Sequence, residues 1–239
     1  AVVALMRRAT SGSIRTFSIG FDQPEYDERG YARSVATELD TEHQELIVRP
    51  DAAVLLPRMV YHYNEPFADS SALPSWCLSE MARQSVTVAL SGDGGDESFI
   101  GYDRYVGASI AGWFDRFPMA FRRLAAQGIG PLARGAAKST STRIGRFASG
   151  LPLDPVHRHG RWLSLMPDEQ RAELCTQEFT ARWRQTRSFD LLERRWAESD
   201  ATAAVEKLAH ADIGMYLPDD LLVKMDIASM AHSLEVRSP

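Results

Sequence analysis

A short apolar run, Val86-Thr-Val-Ala-Leu90, stops abruptly in a turn with three glycines and three acids, Ser91-Gly-Asp-Gly-Gly-Asp-Glu97. The run is typical of a buried strand, and the glycines permit positive φ and close approach of another molecule to backbone N–H groups. Such groups suit phosphate oxygens, which the carboxylates would repel unless a divalent cation lay between them. We interpret the loop as half of a nucleotide–metal site; a solvated acidic turn is the alternative.

Helical patterns alternate with short strands that lack clean polar alternation up to about residue 105. Strands are predicted at 16–20, 45–48 and 86–90, and helices at about 1–9, 28–39, 51–63 and 73–84. This order predicts an α/β fold with a parallel sheet covered by helices on both faces, whose ligands bind at the carboxyl ends of the strands. Later strand signals fade, so we predict a nucleotide-binding core at 1–105 and a mainly helical portion at 106–239.

Residues 128–161 are rich in glycine, serine, proline and arginine. The stretch contains a single acid, Asp154. Its basic residues are Arg134, Lys138, Arg143, Arg146, Arg158 and Arg161. The composition predicts a basic loop, with a solvated connection favoured over a docking patch for phosphate or a carrier. His157 and His159 lack a third ligand at useful spacing, so metal binding is not expected there.

The last predicted helix opens at Pro218-Asp-Asp220 and presents an apolar face, within which Lys224 lies. A lysine is rarely buried unless it is paired. Lys224 is either a surface residue whose stem passes its apolar neighbours or a residue that points into a site and neutralises phosphate charge.

Composition narrows the class of protein. The chain has 239 residues and a formal net charge of −5, so we expect no general nucleic-acid partner. We also expect no membrane span, no signal peptide and a cytoplasmic location. The first helical pattern has neither an N-cap residue nor an initiator methionine, and no closing signal ends the chain, so we predict a piece of a longer protein.

Several segments resemble, in the right order, the synthetase domain of glutamine-dependent asparagine synthetases of the ATP-pyrophosphatase superfamily. They are Thr16–Gly20, Glu65–Pro74, Leu90-Ser-Gly-Asp-Gly-Gly-Asp-Glu97 with Gly101-Tyr102, Asp220-Leu-Leu-Val-Lys-Met-Asp-Ile-Ala-Ser-Met230, and Leu234-Glu-Val-Arg-Ser-Pro239. The resemblance implies a fold like that of the adenine nucleotide α-hydrolases, here truncated at both ends.

The resemblance also implies a reaction. A carboxylate, aspartate in the best-known members, attacks the α-phosphorus of Mg-ATP to give an acyl-adenylate and pyrophosphate, and ammonia from glutamine then displaces AMP to leave asparagine. ATP and Mg²⁺ are the implied cofactors. The implied partners are the small-molecule substrates and an N-terminal glutaminase domain of the full-length chain, and a homodimer is left open.

Site residues follow from the same motifs. The resemblance implies that Lys224 stabilises charge on the α-phosphate and pyrophosphate, and that Asp96 holds Mg²⁺ on the leaving pyrophosphate. Asp93 stands where the family often has glutamate, at a position proposed to handle ammonia or an amine. The residues implied to contact ATP are Ile19, through its backbone, and Ser91, Gly92, Gly94 and Gly95.

Two features of the family are missing: the pyrophosphate loop Ser-Gly-Gly-x-Asp-Ser and the glutaminase domain with its leading cysteine. We therefore expect this chain alone to bind Mg-ATP poorly and to be inactive. Two alternatives stay open. One is a related amidotransferase acting on another carboxylate, such as a sugar acid, a cell-surface polymer or a β-lactam precursor. The other is a catalytically silent binding module of the same fold.

Overall fold

The computed structural model describes residues 1–22, 27–49, 51–129, 140–166, 168–183 and 189–238. In chain order the elements are α1 (Val2–Ala9), β1 (Arg15–Gly20), α2 (Arg29–Glu38), β2 (Glu42–Ile47), α3 (Ala52–Tyr63), α4 (Ala72–Arg83), β3 (Val88–Leu90), α5 (Gly95–Phe99), α6 (Asp103–Phe114), α7 (Met119–Ile129), α8 (Thr140–Gly150), α9 (Pro155–Leu163), α10 (Asp168–Leu174), α11 (Gln177–Trp183), α12 (Asp190–Glu198), α13 (Ala204–Gly214), a π-helix (Leu217–Leu222), α14 (Val223–Met230) and β4 (Glu235–Arg237). The chain is therefore a helix-rich α/β protein.

The contacts divide the chain into two units. Unit 1 comprises Ala1–Gly94 and Leu217–Pro239, and unit 2 comprises Gly95–Tyr216. This division differs from the predicted one at residue 105, because α14 packs against α3 and α4 and so joins the end of the chain to its first part.

Unit 1 holds two parallel strand pairs. β1 runs beside β2 with Ile19 opposite Leu46, and β3 runs beside β4 with Ala89 opposite Val236. The predicted parallel direction is confirmed. Within the described residues, however, the strands form two separate pairs rather than one continuous sheet. β3 is also shorter than predicted, since its regular pairing begins only at Val88.

The helices of unit 1 enclose an apolar cluster of Met59, Tyr63, Ala72 and Trp76. α3 begins where the sequence predicts it, because Oδ1 of Asp51 accepts a hydrogen bond of 3.0 Å from the N–H of Ala53. Ile227 of α14 and Ala231, the residue after α14, pack against this cluster.

Unit 2 is entirely helical in its described part. Its main apolar cluster joins α6, α9 and α13 with the turn after α8: Tyr105, Ala108, Ala111, Leu151, Trp162, Leu208 and Ala209. A buried polar group lies beside it, in which Asp212 accepts hydrogen bonds from the Tyr105 hydroxyl at 2.6 Å and from Arg104 at 3.0 Å.

The prediction of a basic loop at 128–161 is wrong at both ends: residues 128–129 belong to α7, and most residues from 140 onward belong to α8 and α9. Asp154 caps α9, and Pro155 occupies its first turn. Arg158 is only 1% exposed and donates to the Gly150 carbonyl at 3.0 Å and to Oδ2 of Asp115 at 3.1 Å. Packing thus overrides a composition typical of loops; Arg134 and Lys138 lie outside the described residues.

The last helix also differs from its prediction, because its first part, Leu217–Leu222, is a π-helix rather than an α-helix. Pro218 lies in this segment and has no N–H to donate. π-turns occur frequently at functional sites. Within the described residues, no helix combines the length and apolar character needed to cross a bilayer.

Candidate functional site

The loop that follows β3 is tied to the end of the chain. Ser91 donates its backbone N–H to the Arg237 carbonyl at 3.0 Å, and its hydroxyl lies 3.1 Å from the Ser238 hydroxyl. The Ser91 hydroxyl also lies 2.7 Å from Oδ2 of Asp93, to which it donates. The predicted ATP-contacting serine and the predicted catalytic aspartate are therefore hydrogen-bonded to each other.

The three glycines of the loop differ in whether their backbone conformation favours glycine. Gly94 has a φ of +85°, a conformation that side-chain-bearing residues rarely adopt. Gly92 and Gly95 lie in open space, since a Cβ atom added to either would meet nothing within 4 Å. A side chain at either position would therefore meet no neighbouring atom.

The two remaining acids of the motif lie on α5 in unit 2 and have opposite surroundings. Asp96 is exposed, whereas Glu97 is 1% exposed and accepts a hydrogen bond of 2.6 Å from the Tyr102 hydroxyl. Burial, together with this bond to a carboxylate, raises the pKa of Tyr102 well above its ordinary range. Only Asp96 therefore presents a solvent-facing carboxylate on this helix.

Lys224, on α14 in unit 1, is 7% exposed. Its ammonium donates to Oδ2 of Asp69 at 2.8 Å and to Oγ of Ser71 at 2.7 Å. The Tyr63 hydroxyl donates to the backbone carbonyl of Lys224 at 3.0 Å. The interpretation of Lys224 as a surface residue is wrong, because a paired ammonium can be buried where an unpaired one cannot.

Asp69 is the partner of Lys224 that the sequence does not predict. The segment Glu65–Pro74 is one of those that resemble the family, but the resemblance gives Asp69 no role. A signal was present, since an Asp two residues before a Ser is typical of a turn in which the side chain binds the backbone, as the Ser71 N–H does here at 2.8 Å. Burial alone would raise the pKa of Asp69, but the Lys224 and Ser71 hydrogen bonds outweigh it and hold the pKa below its ordinary value.

Asp220 lies in the π-helix, one turn before Lys224. Its carboxyl is half-buried. Burial and then repulsion by Asp69 raise the pKa of Asp220, and attraction to Lys224 only partly offsets them. The pKa values of the two carboxyls that interact with Lys224 are therefore shifted in opposite directions, that of Asp69 downward and that of Asp220 upward.

A cavity of about 1050 Å³ lies in unit 1 and is lined by residues of α1, β1, β3 and the loop that follows, including Ser91, Gly92 and Asp93. Neither Ile19 nor Lys224 is among the described residues that line this cavity. Ile19 instead lies opposite Leu46 in the β1–β2 pair, one residue before β1 ends at Gly20.

The described residues contain no group of three or more His, Cys, Asp or Glu side chains arranged to hold a metal ion. Glu97 is engaged by Tyr102, and Asp93 by Ser91. Of the three acids in the described motif residues 93–97, Asp96 is the exposed one, and a single carboxylate suits a Mg²⁺ ion that takes its other ligands from phosphate and water.

The comparisons with known proteins agree on one family. The model of the family described as asparagine synthase matches residues 1–239. The glutamine-hydrolysing asparagine synthetase 1 of Bacillus subtilis is 28% identical over 230 residues, which cover 95% of this chain and 34% of that protein. A Mycobacterium tuberculosis protein, named as a putative glutamine-hydrolysing asparagine synthetase, is 32% identical over 225 residues, or 94% of this chain and 33% of that protein.

A further relative, named as a putative glutamine-hydrolysing asparagine synthetase 2 of Methanocaldococcus jannaschii, is 40% identical over 123 residues, covering 51% of this chain and 24% of that protein. The chain spans about a third of the length of the Bacillus and Mycobacterium relatives it matches. No solved structure matches it.

Proposed function

The chain belongs to the asparagine synthase family, and from this premise we propose that it forms part of a ligase that makes an amide at the expense of ATP. A carboxylate oxygen of the acceptor attacks the α-phosphorus of ATP, the bond to the bridging oxygen breaks, and pyrophosphate leaves. Ammonia then attacks the acyl carbon, loses a proton, and AMP leaves with the former carboxylate oxygen. Adenylation is needed because an ionised carboxylate is a poor electrophile.

The buried, ion-paired ammonium of Lys224 is the observation that supports this proposal most strongly. Catalysis of phosphoryl and adenylyl transfer consists largely of positioning and of charge neutralisation around the phosphates. A lysine fixed at 2.8 Å from Asp69 is placed before the substrate arrives, so little reorganisation is required. We propose that it stabilises the charge that develops on the α-phosphate and pyrophosphate.

The loop after β3 supplies the second part of the proposed site. Accessible backbone at Gly92 and Gly95 and the turn at Gly94 would bind phosphate oxygens. Ser91 would contact ATP. The Asp93 carboxylate, oriented by Ser91, would interact with the incoming ammonia. Ile19 would contact the adenine side through its backbone at the end of β1.

Asp96 would hold Mg²⁺, which when bound would neutralise charge on the leaving pyrophosphate. Because Glu97 is buried and hydrogen-bonded, it would not share this role. The parallel strand pairs, with the loop at the carboxyl end of β3, support a fold like that of the adenine nucleotide α-hydrolases.

Aspartate is the acceptor that we propose. A larger anionic acceptor would be favoured by free arginines in the 128–161 stretch. Arg158 is instead bound to Asp115, and Arg146 donates to the Trp162 carbonyl at 2.6 Å. Glutamine, hydrolysed by a separate domain of the full-length protein, would supply the ammonia; the Bacillus relative is named as glutamine-hydrolysing. We place the reaction in the cytoplasm, where ATP and both amino acids are available.

Pyrophosphate release from Mg-ATP by the full-length protein tests the proposal. We expect release that depends on aspartate and that is lost in Lys224→Ala, whereas the control Lys207→Ala, whose ammonium lies over Trp196, keeps it. Release only with another carboxylic acid would keep the mechanism and replace the acceptor. No release with any acid from folded protein would favour the silent binding module.

A further inference from the structure

Asp69 and Ser71 enclose the head of Lys224 in a closed triangle of hydrogen bonds. The Ser71 hydroxyl lies 2.8 Å from each carboxylate oxygen of Asp69 and 2.7 Å from the Lys224 ammonium. Since a hydroxyl has one proton, it donates to the carboxylate and accepts from the ammonium. Two of the three ammonium protons thus have partners within the described part of the chain.

The backbone of Lys224 is held as well. The carbonyl of Lys224 accepts a hydrogen bond from the Tyr63 hydroxyl, and the Tyr63 ring stacks on Phe67 at a centroid distance of 4.6 Å. Asp69 is held from its own side by the N–H of Ser71. A lysine side chain loses more rotamer freedom than most on binding, and here that loss has occurred before any ligand binds.

We propose that Asp69 and Ser71 are positioning residues that hold the Lys224 ammonium and leave its third N–H for an anionic oxygen of the nucleotide. This inference rests on the proposed function, in which Lys224 acts on the phosphates. Asp69 itself touches neither the nucleotide nor the acceptor; it acts through Lys224. A purely stabilising role is a weaker explanation, because buried ion pairs contribute little net stability compared with apolar side chains of similar size.

Competitive acetylation tests the positioning directly, since the chain has only three lysines, Lys138, Lys207 and Lys224. The folded protein is treated with trace acetic anhydride, and the labelling of Lys224 is measured relative to that of Lys207 by mass spectrometry. We expect Asp69→Asn to raise this ratio by about tenfold, which corresponds to about 1.4 kcal/mol. Ser71→Ala keeps the ion pair between Asp69 and Lys224, so it should raise the labelling ratio less. This variant also serves as the test if Asp69→Asn folds poorly. The exposed Asp226, on the same helix, provides the control Asp226→Asn, which should leave the ratio unchanged.

A kinetic measurement tests whether the contact between Asp69 and Lys224 matters for catalysis and not only for the accessibility of Lys224. In the full-length protein, Asp69→Asn should lower kcat for aspartate-dependent pyrophosphate release with little change in KM for ATP, because the lost interaction acts in the transition state. An unchanged labelling ratio in both Asp69→Asn and Ser71→Ala would overturn the proposal. So would increased labelling with unchanged kcat while Lys224→Ala abolishes turnover. If Lys224→Ala itself leaves turnover intact, the proposed function fails, and the labelling ratio alone still decides whether Asp69 holds the ammonium.

Discussion

The Tyr102 hydroxyl donates a hydrogen bond of 2.6 Å to Oε1 of Glu97, a carboxylate that is only 1% exposed. The same tyrosine ring lies 3.6 Å below the guanidinium of Arg104, which is bound to the buried Asp212. The last acid of the Asp-Gly-Gly-Asp-Glu motif is thus a structural anchor of α5, and the exposed Asp96 is fixed beside it.

Removal of this anchor should destabilise the protein. Tyr102→Phe leaves the Glu97 carboxylate buried without its donor, so we expect a loss of about 1–3 kcal/mol in the free energy of unfolding. Tyr31→Phe is the matched control, because Tyr31 is 81% exposed and should change little. Urea denaturation of both variants measures the difference, and equal stabilities would contradict an anchoring role for Glu97.

Gly101 packs directly on Asp96. Its N–H donates to the Asp96 carbonyl at 2.8 Å, and a Cβ atom at position 101 would overlap the Asp96 carboxylate and lie 3.1 Å from its Cα. We expect Gly101→Ala to cost about 1–3 kcal/mol by forcing α5 to shift. Gly112→Ala, in open space on α6, should instead stabilise the protein by about 0.5–1 kcal/mol.

A double variant tests the cause of the Gly101 effect. Asp96→Ala shortens the side chain that the new methyl group would meet, so Gly101→Ala should cost less in that background than in the natural protein. Thermal denaturation of the four proteins gives the coupling. An identical cost in both backgrounds would place the conflict at the backbone alone.

Local features of unit 1 could be predicted from the sequence because they depend on neighbouring residues. The Asp51 cap, the strand that ends at Gly20 and the helix that contains Lys224 all follow from short patterns. The resemblance implies a site that contains Lys224, Asp93 and Asp96, and the family match over residues 1–239 confirms the resemblance itself.

Features that depend on distant residues could not be predicted. Asp69 and Lys224 are separated by 155 positions, and nothing in either segment alone indicates that they meet. Arg158 lies in a stretch whose composition favours a loop, and its burial depends on Asp115. The π-register before Lys224 likewise has no pattern distinct from that of an α-helix.

The Asp69–Lys224 pair should make stability depend on pH at the acid end. The folded-state pKa of Asp69 is lowered from 3.8, so its stabilising effect is complete above the unfolded value and is lost as the pH falls through the folded pKa. Asp69→Asn should therefore cost about 2 kcal/mol at pH 7, and the cost should shrink below about pH 4. Urea denaturation from pH 7 to pH 3 measures it; a cost independent of pH would show that the charge of Asp69 is not what matters.

Asp220 should behave in the opposite way. Its pKa is raised from 3.8 by burial and by Asp69, so ionisation of Asp220 at neutral pH opposes folding. Asp220→Asn should increase the free energy of unfolding at pH 7 on the order of 0.5 kcal/mol after screening by solvent, and the gain should vanish below about pH 3.8, where both states are protonated. The exposed neighbour provides the control Asp219→Asn, which should show no such gain.

The gain from Asp220→Asn should also depend on Asp69. In an Asp69→Asn background the repulsion between the two carboxyls is already absent, so the second substitution should stabilise the protein less than it does alone. A double-mutant cycle in urea at pH 7 measures this coupling. If Asp220→Asn instead destabilised the protein at pH 7, the Asp220 carboxylate would have to be a favourable partner of Lys224, and the ammonium would be shared between two acids rather than held by Asp69 and Ser71.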